Sequence, residues 1–402
     1  MTDRAAPTTY LATIAFCVAT AMCEGFDIQA AGLAASGIRH ALAPTPGQMG
    51  LFFAAANFGL TLGALAGGRL ADRIGRKPVL TVSVLAFAIC SLLTAGAGDI
   101  TTLTFARLAT GLNLGGALPN LMALAADVSG PRSRNASIGV AYVGMPLGGG
   151  IASLLALGLP ASSWRMFFVI GGVAPLILGA LIALLLKPPA SGSSIHRQPG
   201  PVSDLFAGGR MARTLVIWVA SLAAALILHL ILNWMPLLLQ DKGVGRSVAA
   251  AAQVGFNLVG AGGALLTGIS LDKGWRAIGV VGALVAVPLA VLALAQGPSA
   301  PALVIIAAGL LGAGILAQTV IIYGVAADCY PETIRGTGMG TAAGSSRLGS
   351  LAGPSIAAIL VSAGRTPTEV LTSLLPVALI AAICLVWLIW RPRAAPVATE
   401  PA

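Results

Sequence analysis

Apolar residues run along the chain in blocks of about 20, separated by short polar turns, which is the length a helix needs to cross a bilayer. The blocks fall at 11–34, 47–70, 78–97, 100–124, 136–158 and 166–187, then at 213–239, 248–271, 277–296, 301–326, 336–361 and 369–390. They predict twelve membrane-spanning helices and an all-α membrane protein. The first block does not read as a cleaved signal peptide. Its flank lacks a positive cluster and its centre carries Glu24 and Asp27, so it is expected to stay as helix one.

Composition supports lipid as the solvent. Of 402 residues, 57% are hydrophobic, only 9% are charged and 51 are glycine. A soluble chain of this size has too little interior for that much apolar surface. Placing both termini in the cytoplasm puts 16 Lys and Arg residues in the tails and inner loops and 5 in the outer loops, with Arg107 and Arg347 left inside the membrane. By the positive-inside rule this is the expected orientation, in the inner (plasma) membrane of a bacterium. The net charge of +10 is thereby assigned to topology, and no nucleic-acid partner is expected. Cys17, Cys23, Cys90, Cys329 and Cys384 lie in or beside apolar blocks without metal-like spacing and read as small packing residues. No nucleotide loop or catalytic triad is present, so neither an enzyme nor a cofactor or metal site is expected.

The chain repeats itself once. "GALAGGRLADRIGR" from Gly63 recurs as "GALLTGISLDKGWR" from Gly263, which sets Asp72 against Asp272. "AADVSGPRSR" from Ala125 recurs as "AADCYPETIR" from Ala326, which sets Asp127 against Asp328 and Arg134 against Arg335. The offsets are 200 and 201, and a long Pro/Gly/Ser-rich stretch falls at the midpoint. The expected organisation is an N-terminal six-helix bundle (1–187), a cytoplasmic linker (188–212) and a C-terminal six-helix bundle (213–402), with a site between the halves near the bilayer midplane.

"GALAGGRLADRIGRKPV" closely resembles the loop signature between the second and third helices of the major facilitator superfamily. In physical terms Gly63 and Gly67 let helices approach closely, and Asp72 pairs with arginines or caps a helix end. Gly63, Gly67, Asp72, Arg73, Arg76 and Asp272 are therefore read as a conformational latch. The plainer reading makes Asp72, Arg73, Arg76 and Lys77 a topology signal alone. Within the superfamily, "EGFD" (Glu24–Asp27), "ARLATGLNLGGALPNLMAL" (Ala106–Leu124) and "RGTGMGTAAGSSRLGSLAGP" (Arg335–Pro354) resemble the aromatic acid/H+ symporters. "EGFDIQAAGLAA" and "ILNWMPLLL" (Ile231–Leu239) are most like the branch that imports 3-(3-hydroxyphenyl)propionate. The resemblance implies uptake of a small aromatic carboxylate, such as that acid or a hydroxybenzoate, with protons by alternating access, as a monomer and in the service of aromatic catabolism.

The ionisable residues inside the membrane carry the chemistry, because each costs a few kcal/mol there unless paired or wetted. Glu24 and Asp27 share a helix face and lie ~20 Å into the bilayer. Two carboxylates this close in a low-dielectric site do not both ionise easily, so one can carry a proton. Asp27 is the first choice, with Glu24 tuning it or touching substrate and Arg107 pairing with an acid of helix one. The plainer reading makes each an ion-pair partner for folding. Arg347 lies ~18 Å into helix eleven and presents a planar fork suited to a substrate carboxylate.

Asn120, Asn233, His229 and Gln318 join Arg347 as substrate-binding candidates, with Asn113, Asn257 and Gln253 weaker. Such side chains are as often glue between helices, and a lone histidine on an apolar face is more often a packing residue. Trp234, Phe26, Phe58, Tyr142 and Tyr323 can stack on a ring, although core or lipid-facing roles are commoner. A drug/H+ antiporter is the alternative function, since "GVAYVGMPLGGG" loosely resembles an exporter signature. A non-transporting membrane sensor of aromatic acids is more remote, as it would be expected to carry a soluble domain.

Overall fold

The computed structural model describes residues 7–129, 134–186, 201–273, 276–331 and 334–390. The helices are α1 (Pro7–Leu42), α2 (Pro46–Ile74), α3 (Arg76–Gly96), α4 (Ile100–Asp127), α5 (Arg134–Gly158), α6 (Arg165–Leu185), α7 (Met211–Asp241), α8 (Arg246–Asp272), α9 (Arg276–Gln296), α10 (Pro301–Cys329), α11 (Arg335–Ser362), α12 (Pro367–Thr372) and α13 (Leu374–Trp390). Within the described residues every predicted block is built of helix, the last with a break at Ser373. Among the described residues, nine helical stretches are long and apolar enough to cross a membrane. The last block divides into α12 and α13 because Pro376 has no N–H to offer the carbonyl of Thr372, so the chain turns at Ser373.

Helix starts are fixed locally. Thr45 before α2 and Thr366 before α12 each form a capping box, with Gln48 and Glu369, and each is followed by proline in the first helical turn. Asp99 precedes α4 and accepts from the Thr102 hydroxyl at 2.7 Å and from the Thr101 and Thr102 N–H groups at 2.9 Å each. These bonds, the Thr102 hydroxyl foremost, hold its carboxyl below the usual carboxylate range.

Packing follows a pattern that recurs six helices on. Helix α1 lies on α5, α2 on α4 and α3 on α6; α7 likewise lies on α11, α8 on α10 and α9 on α10 and α13. Contacts between the two sets run through α1 with α7, α2 with α11 and α5 with α8. The α1–α5 seam shows how close these approaches are. A Cβ on Gly25 would strike the Met145 backbone, and one on Gly148 the Met22 carbonyl, so only glycine fits.

The apolar core is continuous at one end of the molecule and divided at the other. Where α1 meets α2 and α7 meets α8, a single cluster joins Ile38, Phe52, Phe53, Trp164 and Phe167 to Ile231, Trp234, Phe256 and Ala357. Toward the α2–α3 turn it gives way to separate clusters. One holds Leu80, Leu121 and Ile182, and the other Ile217, Ile321 and Leu385. The joined end also carries polar ties. Arg39 pairs with Asp241 at 2.7 Å, and Arg246 at the start of α8 donates to the Leu159 carbonyl after α5.

Candidate functional site

Asp27 and Arg107 form a buried ion pair. Arg107 Nη1 donates to both carboxylate oxygens at 2.7 Å, and each side chain is only 2% exposed. The Phe168 ring faces the guanidinium, 5.7 Å from Cζ to the centroid, within range of a cation–π contact. A charge so far from water persists only when paired in this way. Beside the pair is a cavity of about 10 Å3, close to the room one water molecule needs, lined by Asp27, Arg107, Asn57 and Asn233 together with apolar neighbours such as Phe53 and Leu114. Asn233 comes from α7, so the cavity lies where α1, α2, α4 and α7 converge.

A second cluster surrounds Arg347. Glu24 of α1, Tyr142 of α5, His229 of α7 and Tyr323 of α10 all lie in the electrostatic field of its guanidinium. Arg347 is half-buried, and among the described residues it makes no ion pair. Glu24 is 1% exposed and neither of its carboxyl oxygens has a hydrogen-bond partner. Tyr142 is 48% exposed and shares the field of Arg347 with Glu24 and Tyr323. Tyr323 hydrogen-bonds to Ser346, one residue before Arg347. Among the described residues the arrangement joins one fixed cation without an ion pair, one unpartnered acid and two phenols drawn from four helices. It can hold an anion and hydrogen-bond a polar group carried by the same molecule.

The remaining candidates are distributed between these clusters and elsewhere. His229 shares a contact between Nδ1 and the Ala225 carbonyl at 3.0 Å, and Asn233 donates to the His229 carbonyl at 2.7 Å. Gln318 is buried on α10. The Asn120 amide donates to Gly116 at 2.7 Å and to Gly67 at 3.4 Å, which ties it to the α2–α4 seam and not to Arg347. In that seam a Cβ on Gly63 would meet the Leu112 carbonyl and one on Gly67 would meet Gly116. Arg73 is exposed and Arg76 half-buried. The side chains of Asp72, Asp272, Asp127, Asp328 and Arg134 lie outside the described residues.

Two residues gain weight from the structure. Asn57 was not singled out by sequence, although a lone amide in "FFAAANFG" is a signal of its own in an apolar helix. Tyr142 reads from sequence as a residue that can stack on a ring but is more commonly core or lipid-facing, and it lies in the field of Arg347 and Glu24.

A profile of the Major Facilitator Superfamily matches residues 17–315 and 277–402. The chain is 38% identical over 381 residues to the 3-(3-hydroxy-phenyl)propionate transporter of Escherichia coli (strain K12), covering 94% of each. It is 30% identical to the gallate transporter of Pseudomonas putida, over 87% of this chain and 85% of that one. Among solved structures it resembles a D-xylose–proton symporter, with a TM-score of 0.73 and 14% identity over 95% of this chain and 98% of the other. It also resembles the nucleoside transporter NupG, with a TM-score of 0.75 and 15% identity over 96% and 100%.

Proposed function

The chain belongs to the major facilitator superfamily, a multi-pass membrane transporter and not an enzyme, and from that premise we propose that it imports a small aromatic carboxylate together with protons. The observation that carries this reading is Arg347, an arginine deep in α11 without an ion-pair partner among the described residues, in the field of acidic and phenolic groups from three other helices and an imidazole from a fourth. A guanidinium there favours a carboxylate, and the surrounding aromatic and polar groups suit a ring bearing a hydroxyl. 3-(3-Hydroxyphenyl)propionate or a hydroxybenzoate has this chemistry, and the E. coli relative supports the choice.

Proton coupling is assigned to Asp27, Glu24 and Arg107. Protonating Asp27 cancels its attraction for Arg107 and releases a buried cation, a change large enough to bias one helix packing over another. Asn233, His229 and Gln318 form the polar surroundings of substrate and ion pair, Asn120 ties α4 to α2, and the Gly63–Arg76 segment with Asp272 acts as the latch. The chain works as a monomer in the bacterial inner membrane with both termini cytoplasmic, its halves 1–187 and 213–402 rocking about the site on either side of the linker 188–212. In that orientation the divided end of the core faces the cytoplasm.

The test is uptake by Arg347→Lys. Charge is kept but the fork is lost, so uptake of a radiolabelled aryl carboxylate should fall at least tenfold at equal expression. Uptake near the wild-type level removes Arg347 from the site.

A further inference from the structure

Glu24 is the acid that the ion pair leaves over. Asp27, three residues on, has both oxygens engaged by Arg107, whereas Glu24 has neither oxygen engaged and is equally buried. Buried polar groups nearly always have partners, and an exception calls for a role. Arg347 and Asp27 act on Glu24 electrostatically and Glu24 acts on Tyr142, yet none of them closes a hydrogen bond to it. Among the described residues Arg347 makes no ion pair, and Tyr142 leaves about half its surface uncovered by protein. A ligand with a carboxylate at one end and an O–H donor at the other would satisfy all three groups at once.

Resting on the aromatic-carboxylate reading, we propose that Glu24 and Tyr142 form a subsite that reads the ring hydroxyl, making the carrier selective for phenolic over unsubstituted aryl carboxylates. The carboxylate of the substrate lies on Arg347. Its phenol O–H donates to Glu24, and the Tyr142 hydroxyl donates to the phenol oxygen. An analogue without the hydroxyl leaves Glu24 unpartnered, and a site built for a hydroxyl discriminates strongly against such a molecule.

The test compares 3-(3-hydroxyphenyl)propionate with 3-phenylpropionate in counterflow, using the full chain in proteoliposomes. Counterflow needs no net proton movement, so lost coupling does not mask a change in selectivity. The wild type should reach half-saturation at roughly ten- to a hundred-fold lower concentration of the hydroxylated acid, as the cost of leaving a buried polar group unpaired implies. Glu24→Leu should bring the ratio close to one by weakening the hydroxylated acid while 3-phenylpropionate still exchanges. Glu24→Gln, which keeps a neutral acceptor, and Tyr142→Phe should each give intermediate ratios, and they preserve the test should the leucine variant not fold. An unchanged ratio in Glu24→Leu and Glu24→Gln overturns the subsite alone, as does equal loss of both substrates. A wild type that exchanges neither acid overturns the aromatic-carboxylate reading and the subsite with it.

Discussion

Arg107 of α4 holds both carboxylate oxygens of Asp27 of α1 at 2.7 Å, across 80 positions of sequence and with almost no access to water. This pair binds α1 to α4 electrostatically and can be undone by a single proton. Asp27→Asn imitates the protonated form, neutral and still able to hydrogen-bond. Substrate binding and counterflow should persist, while accumulation driven by an imposed pH gradient should collapse. Continued accumulation by a well-folded Asn variant would move the proton elsewhere, with Glu24 the next residue to examine.

The same pair makes a stability prediction. Arg107→Gln leaves Asp27 buried without its cation, a loss on the order of 3–5 kcal/mol. The double variant Arg107→Gln with Asp27→Asn removes both charges and should recover most of that loss. Thermal unfolding of the purified proteins in detergent distinguishes the cases, and equal destabilisation of single and double variants would contradict the account.

Arg39 and Asp241 tie α1 to α7 at the joined end, with side chains 39% and 35% exposed. A half-wet pair contributes up to about 1 kcal/mol, roughly a fivefold change in a conformational equilibrium. Arg39→Glu opposes two carboxylates and should increase labelling of a cysteine placed at the inner end of this seam. Exchanging both charges, Arg39→Glu with Asp241→Arg, should restore the wild-type rate. High salt should shrink all of these differences.

Gly25 and Gly139 make a matched pair of alanine substitutions. A Cβ at Gly25 collides with the Met145 backbone, whereas one at Gly139 meets nothing within 4 Å. Overpacking of this kind costs about 1–3 kcal/mol, so Gly25→Ala should lower the melting temperature and Gly139→Ala should leave it unchanged. Similar melting temperatures for the two would show that the α1–α5 seam adjusts freely.

Asp72→Asn should slow uptake several-fold while equilibrium binding of the same substrate stays close to wild type, as expected of a group acting on conformational exchange. A large loss of affinity with normal turnover would place Asp72 in the binding site instead.

The helices were legible because each must hide its own backbone from lipid, a demand that writes itself into every apolar block. Boundaries were less so. α1 reaches Leu42 instead of ending near 34, because Ile38 is buried in the core and Gly37 lies against Ala161 and Trp164, contacts that hydropathy does not record. The buried acids and arginines stood out by their cost in lipid. Which acid Arg107 holds did not, since that depends on how α1 and α4 are rotated, and glycine contacts set the rotation. Tyr142 was obscured for a related reason: a phenol in the field of an internal arginine and one facing lipid have the same sequence pattern.

The core that is joined at one end and divided at the other has a thermal consequence. If the carrier alternates, the opposite state must wet the seam built from Phe52, Phe53, Trp164, Trp234 and Phe256 and bury a different surface elsewhere. Hydrating apolar area changes heat capacity, and aromatic-rich and aliphatic seams are not equivalent in amount. The balance between the two states should then curve with temperature, cooling loosening the aromatic seam. A carrier of this construction would differ between a cold habitat and a warm one in where it rests between turnovers, and not only in how fast it turns over.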